Sequence, residues 1–201
     1  TGALISEYRN QGLRVAVLAV DPSSPVTGGA LLGDRIRMQE HALDEGVFIR
    51  SMSSRGQLGG LSSATLAATR VLDAVGFDVI IVETVGVGQS EVDVVNTVDT
   101  VVLVLAPGAG DGVQAAKAGI LEIADVYVVN KADRDGAEGV VRELRSMIGL
   151  GSAASNSWVP EIVTTVATTG QGVADLVLAI SKHHEWAVSS GDRAARSVER
   201  A

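Results

Sequence analysis

The chain of 201 residues contains no cysteine, and only 3% of its residues are aromatic. The lack of cysteine excludes disulfide bonds and thiolate metal sites, and it fits a protein of the reducing cytoplasm. With so few aromatic rings, the core has to be built from Val, Ile, Leu and Ala, and hydrophobic residues make up 46% of the chain. Length and composition are those of a globular protein with one good core.

Positive charge is also scarce, since 16 Lys and Arg stand against 24 Asp and Glu and give a formal net charge of −8. A surface of that sign repels phosphate backbones and anionic headgroups, so we expect neither nucleic acid nor a membrane as the main partner. No apolar stretch reaches the length of a membrane span, and the first residues lack the basic-then-apolar pattern of a secretory signal.

Short β-branched runs alternate along the chain with stretches of helical periodicity. Strands are predicted at 14–20, 47–50, 79–83, 100–106, 126–130 and 162–166, and helices at 36–44, 61–75, 112–123, 137–147 and 173–188. Several strands are apolar nearly throughout, which is typical of strands covered by helices on both faces. The alternation predicts an α/β fold with a doubly wound, mostly parallel sheet, whose ligands bind at the carboxyl ends of the strands.

The motif Asn130-Lys131-Ala132-Asp133 directly follows the apolar run at 126–129. A guanine base presents two adjacent donors, its ring N1–H and its exocyclic amine, and the carboxylate of Asp133 can accept both. Adenine has no such pair of donors and would leave the carboxylate partly unpaired. In this interpretation Asn130 holds the base-binding loop, and the stem of Lys131 lies along the purine face. The alternative is a polar strand-to-helix turn without a ligand.

A second motif, Glu83-Thr84-Val85-Gly86, follows the apolar run at 79–82. A carboxylate at a strand end can hold a hydrated Mg²⁺, and the N–H of Gly86 can approach a terminal phosphate because glycine has no side chain in the way. The alternative is a glycine-rich turn with an incidental Glu. Two polar strand ends in the order expected of a GTPase favour the nucleotide interpretation.

Further segments complete a pattern: Val20-Asp21-Pro22-Ser23-Ser24, Gly28-Gly29, Leu32-Gly33-Asp34-Arg35, residues 82–91, Pro107-Gly108-Ala109-Gly110-Asp111, and Ala124-Asp125 followed by residues 129–133. With these motifs the sequence resembles the MeaB/ArgK family of P-loop GTPases over roughly residues 1–185. Members of that family act as metallochaperone-like partners of adenosylcobalamin-dependent mutases such as methylmalonyl-CoA mutase. The resemblance implies a SIMIBI-type P-loop architecture, GTP and GDP as substrate and product, Mg²⁺ as cofactor, and a homodimer.

The phosphate loop of that family, G-x-x-x-x-G-K-[ST], occurs nowhere in the 201 residues. Such a loop supplies backbone N–H groups, a Lys that neutralises charge, and a hydroxyl on Mg²⁺. Family members carry it just before the helix that residues 1–11 continue, so we expect the sequence to be truncated at that point. We assign a GTPase domain to 1–188 and a polar tail to 189–201. Function is assigned to the complete polypeptide, and the 201 residues alone are expected to be inactive.

The resemblance implies catalytic roles for Asp21, Glu83 and Gln89, with Gln89 the weakest candidate for positioning the attacking water. Asp21 and Glu83, together with Asp34, would surround one Mg²⁺, which keeps several waters and needs few protein ligands. Alternatives remain, since Asp21 can belong to a turn and Asp34 can cap a helix. In the absence of a strong general base, we expect slow hydrolysis that a partner accelerates.

The resemblance also implies a second base-binding element, in which the backbone N–H groups of Val166, Ala167 and Thr168 meet the base oxygen. A further implied element is the glycine-rich segment 107–117, where glycine permits large changes of φ and ψ. In the family this segment is a switch that couples nucleotide state to the mutase, and its positions here are Gly108, Gly110, Asp111, Gln114 and Lys117. The alternative is a loop without any coupling role.

Two other functions stay open. An ATP-dependent kinase of a basic amino-acid transport system, an older label of the family, is disfavoured by Asp133 because that residue selects guanine. A nucleotide-blind scaffold would follow if the phosphate loop were truly absent.

The three histidines, His41, His183 and His184, fall in predicted helices. None has a carboxylate or Cys partner at metal-ligand spacing, so we predict that all three are surface residues.

Overall fold

The computed structural model describes residues 1–21, 38–53, 63–84, 97–108, 120–150 and 158–199, and the chain divides into two compact units, 1–97 and 98–201. The first unit contains helix α1 (Gly2–Asn10), strand β1 (Val15–Asp21), a 3-10 helix (Gln39–His41), strand β2 (Val47–Ser53), helix α2 (Ser63–Ala74) and strand β3 (Val79–Thr84). The second contains strand β4 (Val102–Leu105), a 3-10 helix (Ile120–Ile123), strand β5 (Val126–Asn130), helix α3 (Ala137–Leu150), strand β6 (Glu161–Thr165), and helices α4 (Val173–Ser190) and α5 (Asp192–Glu199).

The first unit is built on a parallel three-stranded sheet in the order β2-β1-β3. The central strand β1 is rich in Val, which suits the pleated backbone, and it is apolar until its last residue, Asp21. On one face of β1, Ala16 and Leu18 pack against Leu72 of α2, with Phe77 and Ile80 beside them. The carboxyl ends of the three strands therefore lie at one edge of a sheet that is anchored by apolar packing.

The second unit is built on a parallel three-stranded sheet in the order β4-β5-β6. Four of the five residues of the central strand β5 are buried, and the exception is its last residue, Asn130. Tyr127 and Val129 of this strand pack against Ala137 and Leu144 of α3 in a compact apolar cluster. The uninterrupted apolar run thus forms a buried strand, and the polar motif begins at Asn130, where the strand is no longer fully buried.

The α/β class with parallel strands and helices is confirmed, and the six strands of the described residues fall three in each unit. The helix predicted at 36–44 is wrong within the described residues, which form a 3-10 helix at Gln39–His41. Instead of extending a helix, Asp44 accepts the Gly46 N–H at 2.8 Å and pairs with Arg9 at 2.8 Å, which closes a turn into β2. Of the helix predicted at 112–123, residues 112–119 lie outside the described part of the chain, and Ile120–Ile123 is a 3-10 helix.

The segment 189–201, which the sequence analysis treats as a polar tail, is not without secondary structure. Helix α4 ends at Ser190, Gly191 adopts a left-handed φ of +83°, and α5 follows from Asp192 to Glu199. Glycine suits that position because side chains with a Cβ seldom adopt positive φ. Residues 192–199 of the tail therefore form a separate helix, α5.

Two of the three histidine predictions are wrong. His183 is fully buried, with its Nδ1 2.8 Å from the Thr100 hydroxyl, and His41 is only 8% exposed, with its Nε2 3.2 Å from the Gly2 carbonyl oxygen. Both rings find polar partners from distant parts of the sequence, which offsets the loss of hydration. His184 is exposed, as predicted.

In the described parts of the chain, no helix combines the length and apolarity needed to cross a membrane.

Candidate functional site

The motif from Asn130 to Asp133 lies in the turn between the carboxyl end of β5 and the start of α3. Lys131 has a φ of +56°, in the left-handed region that residues with a Cβ rarely occupy. The Arg134 N–H donates to the Lys131 carbonyl at 3.0 Å and closes the turn in this conformation. Such backbone strain costs on the order of 1–3 kcal/mol and persists where the surrounding structure imposes it, often at binding sites.

The side chain of Asn130 is held by the end of the neighbouring strand. Its Oδ1 accepts hydrogen bonds from the hydroxyl of Thr165 and from the Ala167 N–H, both at 3.1 Å. The Thr165 carbonyl in turn accepts the Ala132 N–H at 3.0 Å, and Thr165 is buried. With Oδ1 engaged by two donors, the amide is fixed in one orientation, and its Nδ2 can donate away from β6.

The turn after β6 contains the second predicted base-binding element. The Val166 N–H donates to the Gln171 carbonyl at 2.9 Å, and the Ala167 N–H donates to Asn130. Thr168 is exposed, and its N–H has no acceptor among the described residues. Of the three predicted backbone donors, the N–H groups of Val166 and Ala167 are therefore already engaged, and that of Thr168 is available to a ligand.

The side chain of Asp133 has no polar partner within the described residues of the unit. The residue is exposed, as is Lys131, and within the described ranges its carboxylate makes neither an ion pair nor a hydrogen bond. A carboxylate presents two oxygens in one plane, so it can accept two parallel N–H donors from one planar group. The turn thus places an unpaired acceptor of that geometry next to an exposed lysine stem.

In the first unit, two predicted metal residues lie near the same edge of the sheet. Asp21 is the last residue of β1, and Glu83 is the next to last residue of β3, in register with Ala19. The Thr1 hydroxyl donates to Glu83 Oε1 at 2.6 Å, whereas Glu83 Oε2 is buried and has no hydrogen-bond partner in the described residues. A buried carboxylate oxygen without a donor fits a hard cation such as Mg²⁺, which binds oxygen ligands.

Other predicted site residues lie outside the part of the chain that the structure describes. They are Asp34 of the metal set, Gly86 and Gln89 of the second motif, and Gly110, Asp111, Gln114 and Lys117 of the switch. Within the described residues, no three His, Cys, Asp or Glu side chains gather at metal-binding distance. Gly108 of the switch is described, with a φ of +75° that disfavours any side chain there.

Thr165 is a residue of this site that the sequence analysis did not single out. It is the last residue of β6 and is paired in register with Asn130, the last residue of β5. The signal that could have identified it is a hydroxyl residue at the end of the strand next to the motif. Recognising that signal requires the order of the strands, because the two residues are 35 positions apart in the chain.

Comparison with known proteins agrees with these motifs. A profile of the family described as methylmalonyl Co-A mutase-associated GTPase MeaB matches residues 1–201. A Pyrococcus horikoshii protein named "Putative GTPase" is 59% identical over 190 residues, which are 94% of this chain and 60% of that protein. GTPase ArgK of Escherichia coli is 41% identical over 184 residues, which are 90% of this chain and 56% of that protein.

Comparison with solved structures agrees with the family match. The crystal structure of a LAO/AO transport system kinase superposes with a TM-score of 0.70 at 30% sequence identity, covering 98% of this chain and 59% of that one. The chain thus spans about three fifths of the length of these relatives. From its motifs, its parallel α/β architecture and the profile match over residues 1–201, the chain belongs to the MeaB family of methylmalonyl-CoA mutase-associated GTPases.

Proposed function

We propose that the complete protein is a Mg²⁺-dependent GTPase that hydrolyses GTP to GDP and phosphate. In this proposal it serves an adenosylcobalamin-dependent mutase, such as methylmalonyl-CoA mutase, as chaperone and gatekeeper, and it acts as a cytoplasmic homodimer. The observation that carries the proposal is the turn after β5, where the Asp133 carboxylate is exposed and unpaired within the described residues. Membership of a mutase-associated GTPase family supports the choice of partner.

Recognition of guanine is assigned to the turn after β5 and the turn after β6. Asp133 accepts the N1–H and the exocyclic amine of the base, the Lys131 stem covers one face of the purine, and the Thr168 N–H donates to the base oxygen. Asn130 holds the two turns together through its bonds to Thr165 and Ala167. A site built around a donor pair rejects an analogue without it by about 10⁴–10⁵-fold. This argues against an ATP-dependent kinase.

The metal is assigned to the carboxylates of the first unit. Glu83 and Asp21 would hold Mg²⁺, with Asp34 as a third acid, and the partnerless buried Oε2 of Glu83 supports the fit. When bound, Mg²⁺ neutralises charge on the terminal phosphates. In this proposal Asp21 and Glu83 orient the attacking water, with Gln89 in a lesser role, and the Gly86 N–H donates to the terminal phosphate.

Coupling to the mutase is assigned to the segment 107–117. Gly108 already has a conformation that few other residues adopt, and it follows β4 directly after Pro107. A segment with repeated glycines can change its backbone conformation at little steric cost, as a nucleotide-dependent switch requires. The polar side chains Asp111, Gln114 and Lys117 are proposed to carry that change to the partner.

Calorimetric titration of the complete protein with GTP, GDP and ATP, in the presence of Mg²⁺, tests the nucleotide part. The guanine nucleotides are expected to bind at least about 10³-fold more tightly than ATP. Asp133→Asn should reduce this preference, whereas the matched control Asp135→Asn should preserve it, since Asp135 is a second exposed acid of the same turn without an assigned role. Equal affinity for ATP and GTP would overturn the assignment of Asp133, and the absence of any nucleotide binding would favour the scaffold.

The mutase part is tested by the GTPase rate with and without methylmalonyl-CoA mutase. The wild type should be accelerated, and the double substitution Asp111→Ala and Lys117→Ala should lose most of that acceleration while keeping the intrinsic rate. If the mutase leaves the wild-type rate unchanged, the partner is misassigned. If the acceleration survives in the double variant, the segment 107–117 is only a connector.

A further inference from the structure

At the amino end of β5, Asp125 is a buried carboxylate that contacts polar side chains from two helices, His183 of α4 and Arg196 of α5. Its side chain is 8% exposed. One oxygen accepts the Val101 N–H at 2.8 Å and an Arg196 N–H at 3.1 Å, and the other accepts a second Arg196 N–H at 3.1 Å. Nε2 of the fully buried His183 lies 3.2 Å from the second oxygen. Arg196 thus forms a bidentate ion pair with Asp125, the geometry that suits a guanidinium and a carboxylate.

The environment keeps this pair charged. Burial alone raises the pKa of Asp125, but the nearby His183 ring and the hydrogen bonds from Arg196 and the Val101 N–H outweigh that effect, so the pKa lies below its ordinary value. The hydrogen bond from Arg196 to Asp125 raises the pKa of the guanidinium. At neutral pH the contact is therefore an ion pair in a mostly buried position.

Arg196 belongs to α5, and two arginines of this helix form ion pairs with acids that precede β4 and β5, while Arg196 also pairs with Asp192 of its own helix at 2.8 Å. Besides the contact with Asp125, Arg193 Nε lies 3.3 Å from Asp99 Oδ2. The helix joins α4 through Gly191, whose left-handed conformation makes a sharp break between the two helices. Of these two contacts, the more exposed pair of Arg193 with Asp99 is the more strongly screened by salt, and the more buried pair of Arg196 with Asp125 is the firmer one.

The anchor of α5 and the proposed base-binding turn are the two ends of one strand. Asp125 immediately precedes β5 and Asn130 ends it, and the four residues between them are buried. The Asp125 carbonyl also accepts the Trp158 Nε1–H at 2.7 Å, so its backbone is held as well as its side chain. A short, enclosed strand transmits a loss of anchoring at one end as a displacement or loosening at the other, because it has no room to absorb the change.

We propose that α5 is a releasable strap whose ion pair with Asp125 holds β5 in place, and that its release loosens the Asn130–Asp133 turn and weakens guanine-nucleotide binding. This inference rests on the proposed function of that turn. A partner that draws α5 away would then promote nucleotide release, and by linkage a bound nucleotide would hold α5 more firmly on the unit.

Hydrogen–deuterium exchange on the complete protein tests the strap, with Arg196→Gln as the variant. Relative to wild type, exchange should rise about tenfold or more in residues 192–199 and by a smaller factor in residues 126–133. The dissociation constant for GDP should rise by about three- to tenfold, and GDP should slow exchange of residues 192–199 in the wild type. Arg142→Gln is the control, since Arg142 is 73% exposed and faces Glu138 within α3, and it should change none of these quantities.

Two results would overturn the inference. If Arg196→Gln leaves exchange in α5 unchanged, the ion pair does not hold the helix. If α5 is released but residues 126–133 and the GDP affinity do not change, the strand does not transmit the release. Arg193→Gln removes a half-exposed pair and should show smaller changes in the same direction, which keeps the test decisive if Arg196→Gln fails to fold. A wild type that binds no guanine nucleotide would refute the proposed function, whereas the exchange in residues 126–133 would still decide the strap.

Discussion

The carboxylates near the two ends of β5 have opposite environments. At the amino end, Asp125 is buried and bound by Val101, His183 and Arg196. After the carboxyl end, Asp133 is exposed and makes no polar contact within the described residues. An acid whose partners all come from the protein stabilises the fold, whereas an acid left unpaired beside a strained turn is available for a ligand. Within nine residues of sequence, a structural acid and the acid that we propose to bind the base thus differ in burial and in partners.

The largest expected difference between the two ends is in stability. Asp125→Ala should lower the free energy of unfolding by about 3–5 kcal/mol, because Arg196 loses its buried partner and keeps only Asp192 of its own helix, and because the Val101 N–H loses its acceptor. Asp133→Ala should change it by less than about 0.5 kcal/mol, as surface substitutions usually do. Denaturant unfolding of the two variants measures both. Comparable losses of stability in the two variants would contradict the claim that Asp125 stabilises the fold and Asp133 does not.

An intermediate effect is expected at Thr165, which supports the binding end from within the fold. Thr165→Val removes the hydroxyl that donates to Asn130 and should cost about 1 kcal/mol of stability. It should also weaken GDP binding several-fold, because the Asn130 amide loses one of the two donors that orient it. Thr164→Val is the control, since Thr164 is exposed on the same strand. If both variants bind GDP equally well, Thr165 does not position the turn.

The smallest expected effect is the pH dependence of the structural end. The pKa of Asp125 is lower in the folded protein than its ordinary value of about 4, so the folded state binds fewer protons at this site. Its contribution to stability is present above the ordinary pKa and is lost as pH falls through the lower, folded pKa. The difference in unfolding free energy between wild type and Asp125→Asn should therefore shrink below about pH 4. A difference that stays constant from neutral pH into that range would mean that the pKa of Asp125 is not lowered.

The strand bounds at the proposed binding end were largely predictable from the sequence. The strand at 126–130 has the predicted bounds because an apolar run ends abruptly at a polar motif, and Asp21 and Glu83 lie at or next to strand ends for the same reason. Local composition determines these features. The left-handed conformation of Lys131 and the support from Thr165 were not predictable, since both depend on how the end of β6 lies against the turn.

The contacts around Asp125 at the amino end of β5 were not predictable from the sequence, because they join residues far apart in the chain. Residues 192–199 contain few apolar side chains, so their pattern did not predict a helix packed on the unit, and the ion pair that anchors them spans 71 positions. His183 looked like a surface residue for the same reason, since its partners Thr100 and Asp125 lie in a distant part of the chain. A buried polar cluster of this kind has no local signature.

The central claim is that Asp133 selects guanine by accepting two donors, and a change of base specificity tests it most directly. Asp133→Asn replaces one acceptor oxygen by an amide donor, which matches the 2-oxo group of xanthine in place of the 2-amine of guanine. In the complete protein, the affinity for GDP should fall by at least about 100-fold while that for xanthosine diphosphate rises by a comparable factor. Loss of both affinities together, or an unchanged preference for GDP, would contradict the assignment of Asp133 to the base.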